Sequence, residues 1–330
     1  MKKVAVVILN WNGQALLKQF LPSVCRFTPA EKADIIVADN GSTDSSVSFL
    51  QQNFPEVKLL LFPENYGFAE GYNRAVAQLE HEYIVLLNSD IEVSCGWLDP
   101  LLEYCESHAD VAACQPKLLS YRNKDMFEYA GASGGFIDRY GFPFCRGRVF
   151  GTVEKDRHQY DDIIDIFWAT GACLFVRREA YLAAGGLDAR FFAHMEEIDL
   201  CWRIHLMNRR IVVIPQSVVY HFGGATLDAA DARKTYLNFR NNLLMLYKNL
   251  PVKEGRLLLF VRRLMDTASM VRFLFKGQWP HIKAVWLAHG DFRKEKKRYT
   301  DQPSVNLLKT FPEARRNISV DYFLKGKKYF

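Results

Sequence analysis

Cysteine is scattered and unpaired in pattern: the seven cysteines of this 330-residue chain, an odd number, include no Cys-x-x-Cys. Their spacing argues against both a disulfide framework and a zinc site, and points to a reducing cytoplasm. Long apolar runs are missing too. No stretch of eighteen uncharged apolar residues occurs, so no segment is expected to span a bilayer as a single helix. Met1-Lys2-Lys3 followed by Val4–Leu9 begins like a signal peptide, but the run stops at Asn10-Trp11-Asn12-Gly13 without a cleavage-like site and reads as a first strand. No Gly-x-Gly-x-x-Gly follows that strand, which argues against a nicotinamide-dependent dehydrogenase, and no Gly-x-x-x-x-Gly-Lys-Ser/Thr is present for a P-loop enzyme. Internal repeats and low-complexity linkers are absent, and no nucleic-acid partner is expected.

What is present is ordinary globular composition, 49% apolar and 24% charged. The length suits one large α/β domain with an appendage, or two domains. The net charge of +6 is unevenly spread: residues 251–330 hold 18 Lys and Arg against 7 Asp and Glu, whereas residues 1–250 hold 25 against 30. Any basic partner surface is therefore C-terminal.

Tyr83-Ile84-Val85-Leu86-Leu87 reads as a strand buried on both faces, in the middle of a mostly parallel sheet. Asn88-Ser89-Asp90 follows its carboxyl end, where open α/β sheets collect ligands, so Asp90 is a candidate metal or phosphate-site residue; the same triplet is also ordinary turn chemistry. Around it, Val4–Leu9, Ile35–Ala38 and Val57–Phe62 read as strands. Helical patterns through Leu16–Val24, Val47–Leu50 and Gly67–Arg74 alternate with them, as in a βαβ sheet. Val111–Leu119 is a further strand. From Ser120 to Asp165 no period is sustained, which marks a functional insert. Ile166–Val176 reads as a strand with a glycine at a bulge or close approach. Glu196, Glu197 and Asp199 open a helix, either as dipole-favoured caps or as site carboxylates. Ile211–Ile214 and Ser217–His221 are short strands, and residues 231–249 form a helix containing Arg240-Asn241-Asn242. On the next helix Leu257, Phe260, Val261, Leu264, Ala268, Val271 and Phe275 share one face.

Four pieces in this order carry a resemblance: Ile8-Leu9-Asn10-Trp11-Asn12-Gly13, Val37-Ala38-Asp39-Asn40-Gly41-Ser42-Thr43-Asp44, Leu86-Leu87-Asn88-Ser89-Asp90, and Glu196-Glu197-Ile198-Asp199-Leu200-Cys201-Trp202-Arg203. With Asn65–Ala69 and Tyr220-His221-Phe222-Gly223-Gly224 they make residues 1–245 resemble a family 2 glycosyltransferase of the GT-A fold, in its bacterial rhamnosyltransferase-like branch. That resemblance implies a Rossmann-like α/β fold and an inverting enzyme. It would move a sugar from a nucleotide-diphosphate donor, dTDP-rhamnose or a UDP-sugar, to a glycan or lipid-linked acceptor in surface polysaccharide synthesis.

The resemblance further implies that Asp39 binds a pyrimidine base, with Asn10, Asn12, Asn40, Gly67, Asn73, Asn88 and Ser89 on the donor side. Asp90 and His221 would hold a divalent cation, Mg²⁺ or Mn²⁺. Asn88 stands at the first position of the family's Asp-x-Asp, removing one charge. Glu197 matches the presumed general base, with Glu196 an open alternative; Asp199 is a third candidate, or with Arg203 holds the helix turn. Trp168, Thr170 and Gly171 look like acceptor-side residues. A sugar nucleotidyltransferase and a non-catalytic carbohydrate-binding protein are the competing readings.

The expected domains are a catalytic unit at 1–250, divided into a donor half (1–119) and an acceptor half (120–250), and a basic helical extension at 251–330. The extension's charge and apolar helix call for an anionic membrane surface, at the inner face of the cytoplasmic membrane, or for core packing or a second subunit in a homodimer.

Overall fold

The computed structural model describes residues 2–223 and 231–330. Its centre is a nine-stranded sheet. Strands β1 (Val4–Asn10), β2 (Ala33–Asn40), β3 (Lys58–Phe62) and β4 (Tyr83–Leu87) run parallel in the order β3-β2-β1-β4. Every residue of β4 is buried. The reason lies in the period of two: Ile84 and Leu86 join the core on one face, and Tyr83, Val85 and Leu87 the core on the other, so an unbroken apolar run is what the position demands. Helices α1 (Gln14–Phe27), α2 (Ser46–Asn53) and α3 (Phe68–Ala77) make the crossovers.

Past β4 the sheet turns mixed. The short β5 (Ile91–Val93) and α4 (Asp99–Ser107) lead into β6 (Val111–Ser120). The irregular stretch folds as a small antiparallel sheet of β7 (Gly135–Ile137), β8 (Pro143–Cys145), β9 (Arg148–Val149) and β10 (Thr152–Val153). β11 (Ile164–Asp165) pairs with the main sheet. Only the end of the expected 166–176 strand is one: β12 (Cys173–Arg177) pairs antiparallel with both β4 and β6. Residues 166–172 instead cross from β11 to β12 in extended, buried backbone, with Gly171 beside another element. After α5 (Arg178–Ala183) and α6 (Glu196–Leu206), the two short strands expected at 211–221 are one, β13 (Arg210–His221), broken in register between Ile214 and Val218.

Beyond β13 come α7 (Ala232–Asn249), α8 (Val252–Phe275), α9 (Trp279–Glu295) and, later, α10 (Ile318–Phe323). Of the partners expected for the apolar face of α8, the core of this chain is not the one it takes. Leu257, Phe260, Leu264, Val271 and Phe275 are exposed, while the helix docks through a buried Arg262–Asp266 ion pair that also meets Asn242, the Tyr140 carbonyl and His289. At the tip of the α8–α9 hairpin Phe275 and Trp279 are 87% and 65% exposed. Residues 299–318 return to the core, where Tyr299, Leu307, Leu308, Ala314 and Ile318 are buried. No helix among the described residues is long and apolar enough to cross a membrane.

Candidate active site

Asn10 ends β1 opposite Asp39 in the β2 register. Its Nδ2 donates to Asp39 Oδ2 at 2.9 Å and to Ser42 Oγ at 3.2 Å, and the Ser42 N–H donates to Asp39 Oδ1 at 2.9 Å. Asn10 and Asp39 are both buried. Asn12, left-handed at φ 49°, ties the neighbouring loop by accepting from the Thr43 and Asp44 amides at 2.7 and 3.2 Å. Asn40 shapes the next loop: it donates to Asn65 Oδ1 and to the Gly67 carbonyl, each at 3.0 Å, and accepts from the Tyr66 N–H. Gly67, at φ 79°, leaves a Cβ only 3.4 Å from the Phe192 ring.

The chain leaves β4 through Asn88, Ser89 and Asp90. Asn88 N–H donates to the Ala172 carbonyl at 2.9 Å, and Ile91 N–H returns to the Asn88 carbonyl at 3.3 Å, a tight turn that starts β5. Because β5 pairs with the end of β13, with His221 opposite Ile91, the histidine lands against Asp90. Nε2 lies 3.2 Å from Asp90 Oδ1, and Nδ1 lies 3.3 Å from Glu128 Oε2. All three residues are buried. Burial alone would strip the imidazole of its proton, but the Asp90 and Glu128 carboxylates outweigh it and push His221 up to about 10. Asp90 likewise is raised by burial but lowered more by His221, for a net downward shift.

Asp90 and Glu128 take opposite nitrogens of the imidazole, so the three side chains do not converge on one point; Asp90 with His221 is the pair that the sequence pointed to for Mg²⁺ or Mn²⁺. Among the described residues Asp156, His158 and Asp161 do bring ligand atoms within 4.8 Å of one another. A cation already sits there: Lys117 Nζ pairs with Asp161 and, at 2.9 Å, with Asp156.

Glu196 and Glu197 open α6. Gly171 packs beside Glu197, where an added Cβ would lie 3.5 Å from the Glu197 Cβ, and Gly171 adjoins Ala172, the partner of Asn88. The two glutamates thus stand across from the Asn88–Asp90 turn. Among the described residues neither Glu196 Oε2 nor Glu197 Oε2 has a hydrogen-bond partner. Burial pushes Glu197 up to about 7, against the helix-start N–H groups that pull it down. Glu196 rises well above the carboxylate range through burial and then the charge of Glu197.

Four expected site residues are committed elsewhere. Asp199, fully buried, binds Arg203 Nη2 at 2.8 Å, Lys248 Nζ at 2.9 Å and Asn249 Nδ2 at 2.7 Å. Asn73 braces the 185–187 turn, donating to the Leu187 carbonyl at 2.7 Å and accepting from its N–H and from Tyr181 Oη. Trp168 is core: its Nε1 donates to the Phe136 carbonyl at 2.8 Å and its ring lies against Gly135, too deep to stack on a sugar. Thr170 Oγ1 donates to the Ala130 carbonyl at 2.7 Å. Glu128, by contrast, went unmarked in the sequence, and Gly224 of the last expected motif lies outside the described residues.

A sequence profile described as Glycosyl transferase family 2 matches residues 5–181. The N-acetylglucosaminyl-diphospho-decaprenol L-rhamnosyltransferase of Mycobacterium tuberculosis is 28% identical over 234 residues, 66% of this chain and 75% of that protein. Rhamnosyltransferase WbbL of Escherichia coli K12 is 26% identical over 166 residues, 48% of this chain and 61% of its own length. Among solved structures, GalNAc-T7 with UDP, GalNAc and Mn²⁺ superposes with a TM-score of 0.60 at 15% identity, over 76% of this chain and 48% of that one. This last likeness is one of fold, and the chain spans about half of that protein.

Proposed function

This chain belongs to glycosyl transferase family 2, and from that premise we propose an inverting transfer of a sugar from a nucleotide-diphosphate donor, dTDP-rhamnose or a UDP-sugar, to a glycan or lipid-linked acceptor in bacterial surface polysaccharide synthesis. The observation that carries this reading is that Asp39 and Asp90 lie at the carboxyl ends of strands flanking β1, with His221 against Asp90 and Glu197 beside Gly171, next to the Ala172 carbonyl that Asn88 bonds. The likeness to two rhamnosyltransferases, one of them acting on a diphospho-decaprenol, supports the rhamnosyl donor and the lipid-linked acceptor.

In this reading residues 1–119 hold the donor, 120–250 the acceptor, and 251–330 are the extension. Asp39, fixed by Asn10, accepts a hydrogen bond from the pyrimidine base. Asp90 and His221 would hold a divalent ion, Mg²⁺ or Mn²⁺, whose charge offsets that on the departing diphosphate. Glu197 takes the proton of the acceptor hydroxyl as its oxygen attacks the anomeric carbon from the face opposite the diphosphate, and the bond from that carbon to the diphosphate oxygen breaks. Gly171 keeps the backbone beside the base free of a side chain, the nearest Glu197 atom lying 3.5 Å from where a Cβ would stand.

The extension suits an acceptor held in a membrane. From residue 252 to 287 the exposed charged side chains are Lys253, Arg256, Arg263, Arg272, Lys276 and Lys283, with no exposed Asp or Glu, and they flank the outward apolar face of α8. Such a surface fits peripheral binding to the anionic inner face of the cytoplasmic membrane.

The deciding experiment is donor turnover with dTDP-rhamnose and UDP-sugars under Mn²⁺, Mg²⁺ and excess EDTA, for wild type and Asp90→Ala. Turnover should vanish in EDTA and in the variant, with the melting temperature of the variant nearly unchanged. Full turnover in excess chelator would sink the metal-dependent mechanism.

A further inference from the structure

The helix that bears Glu196 and Glu197 starts from an unusual piece of backbone. Phe192, His194 and Met195 all have positive φ, at 66°, 69° and 74°. None is glycine, so each is strained. Phe192, with ψ −60°, makes the rare strained form of the γ-turn, closed by the Ala193 N–H on the Phe191 carbonyl at 2.8 Å. Met195, at ψ −7°, is the left-handed residue immediately before α6.

A turn of this kind persists only where its surroundings over-determine it. Here two adjacent side chains of α7 supply most of the hydrogen bonds. Asn241 of α7, fully buried, donates its Nδ2 to three carbonyls of the turn, those of Phe191, Ala193 and His194, at 2.9, 2.9 and 2.8 Å. Two amide hydrogens are thus shared among three converging acceptors, of which the Phe191 carbonyl also accepts from the Ala193 N–H and from Arg240. Arg240 completes the clamp. Its Nε donates to Asn241 Oδ1 at 2.9 Å, which sets the amide the right way round, and its Nη2 donates to the Arg190 and Phe191 carbonyls, each at 3.0 Å. Asn242, the next residue, is spent on other work, donating to the Gly141 carbonyl at 2.7 Å and accepting from Arg262.

We propose that Asn241 is a positioning residue for Glu197: its amide, oriented by Arg240, holds the strained 191–195 turn in the one shape that presents the carboxylate beside Gly171. The inference rests on the reading of Glu197 as the base. It accounts for Arg240-Asn241, which no substrate-facing role explains. It also accounts for the burial of Glu197, because a loosened turn would open the start of α6 to water. Among the described residues the titratable groups beside Glu197 are Glu196 and the Cys201 thiol of its own helix, with Gly171 facing it from another element.

The test compares Asn241→Ala, Arg240→Ala and, as a control on the same helix, Asn242→Ala, by hydrogen exchange over residues 191–199 and by the pH profile of donor hydrolysis with dTDP-rhamnose and Mn²⁺. In Asn241→Ala, exchange over 191–199 should speed up, and kcat should fall about ten- to a hundredfold with donor KM unchanged. The acid limb of the profile should also move down by about one unit or more, as the exposed carboxyl returns toward ordinary values. Arg240→Ala should do the same more weakly and reports alone if Asn241→Ala does not fold. Asn242→Ala should lower the melting temperature without moving the limb. Unaltered exchange over 191–199 would overturn the clamp, and so would faster exchange with kcat and limb unmoved. A wild-type enzyme inert toward every donor would overturn the glycosyl-transfer reading instead, through the activity arm alone.

Discussion

Glu197 sits in the first turn of α6, where the helix dipole favours an ionised carboxylate, and yet burial leaves it near pH 7. That balance suits a base, which must be ionised to accept a proton and basic enough to hold it. The sign follows directly: turnover should be full above pH 7 and fall about tenfold per unit below it, as a kcat–pH profile would show. Stability should run the other way, because a carboxyl whose folded pKa is raised stabilises the fold at low pH and loses that contribution as pH climbs through about 7. Glu197→Gln should lower kcat by roughly two to four orders of magnitude with donor binding, measured by calorimetry, retained; a harmful Glu196→Gln beside a harmless Glu197→Gln would reassign the base. The places of Asp39, Asp90, Glu197 and His221 were legible, because each ends or begins an element in a recognisable order. Glu128 was not, since its neighbours Phe127 and Tyr129 carry no period, and only the return of its N–H to the Leu118 carbonyl of β6, the strand beside β13, brings it to His221. Trp168 misled because an aromatic ring reads the same in a sequence whether it lines a cleft or fills a core.

Helix α6 divides its carboxylates by face. Glu197 points toward Gly171, whereas Asp199, two residues on, is locked to Arg203, Lys248 and Asn249. Burial raises the Asp199 carboxyl, but Arg203 and Lys248 together hold it below its ordinary value. Removing one member of a buried ionic group strands the others, so Asp199→Ala should cost about 3–5 kcal/mol in denaturant unfolding while leaving the acid limb of turnover where it was. A shift of that limb in Asp199→Ala would instead place Asp199 among the groups that govern the base. The period of the apolar residues made most helices and parallel strands legible. It failed at residues 166–176, where burial on all sides imitates a strand although only Cys173–Arg177 forms one, Trp168 making a lone bridge to Gly135, and at 211–221, where a register break between Ile214 and Val218 looks in sequence like a gap between two strands.

At the scale of the whole chain, alternation of strand and helix announced the α/β architecture, but a helical wheel could not say which way α8 faces. Apolar periodicity measures amphipathicity, and an amphipathic helix serves a core and a bilayer equally well. The outward face predicts sedimentation with anionic vesicles at low salt, weakening as salt screens an attraction of about 1 kcal/mol per Lys or Arg. Replacing Phe260, Phe275 and Trp279 by glutamate should abolish it. Wild-type protein that ignores such vesicles but elutes as a dimer would make the face a subunit interface. These substitutions are preferable to truncation after Pro251, which would strip Leu307, Leu308, Ala314 and Ile318 from the core. The hairpin is anchored at both feet, Leu250 in the core on one side and, on the other, Tyr299, whose hydroxyl donates to Asp188 Oδ2 at 2.9 Å under the Arg190 guanidinium. A proteolytic nick at its exposed tip, near Gly277, would therefore divide the chain into two polypeptides without dividing the particle: each fragment keeps its own foothold, and the later one carries its share of the core with it.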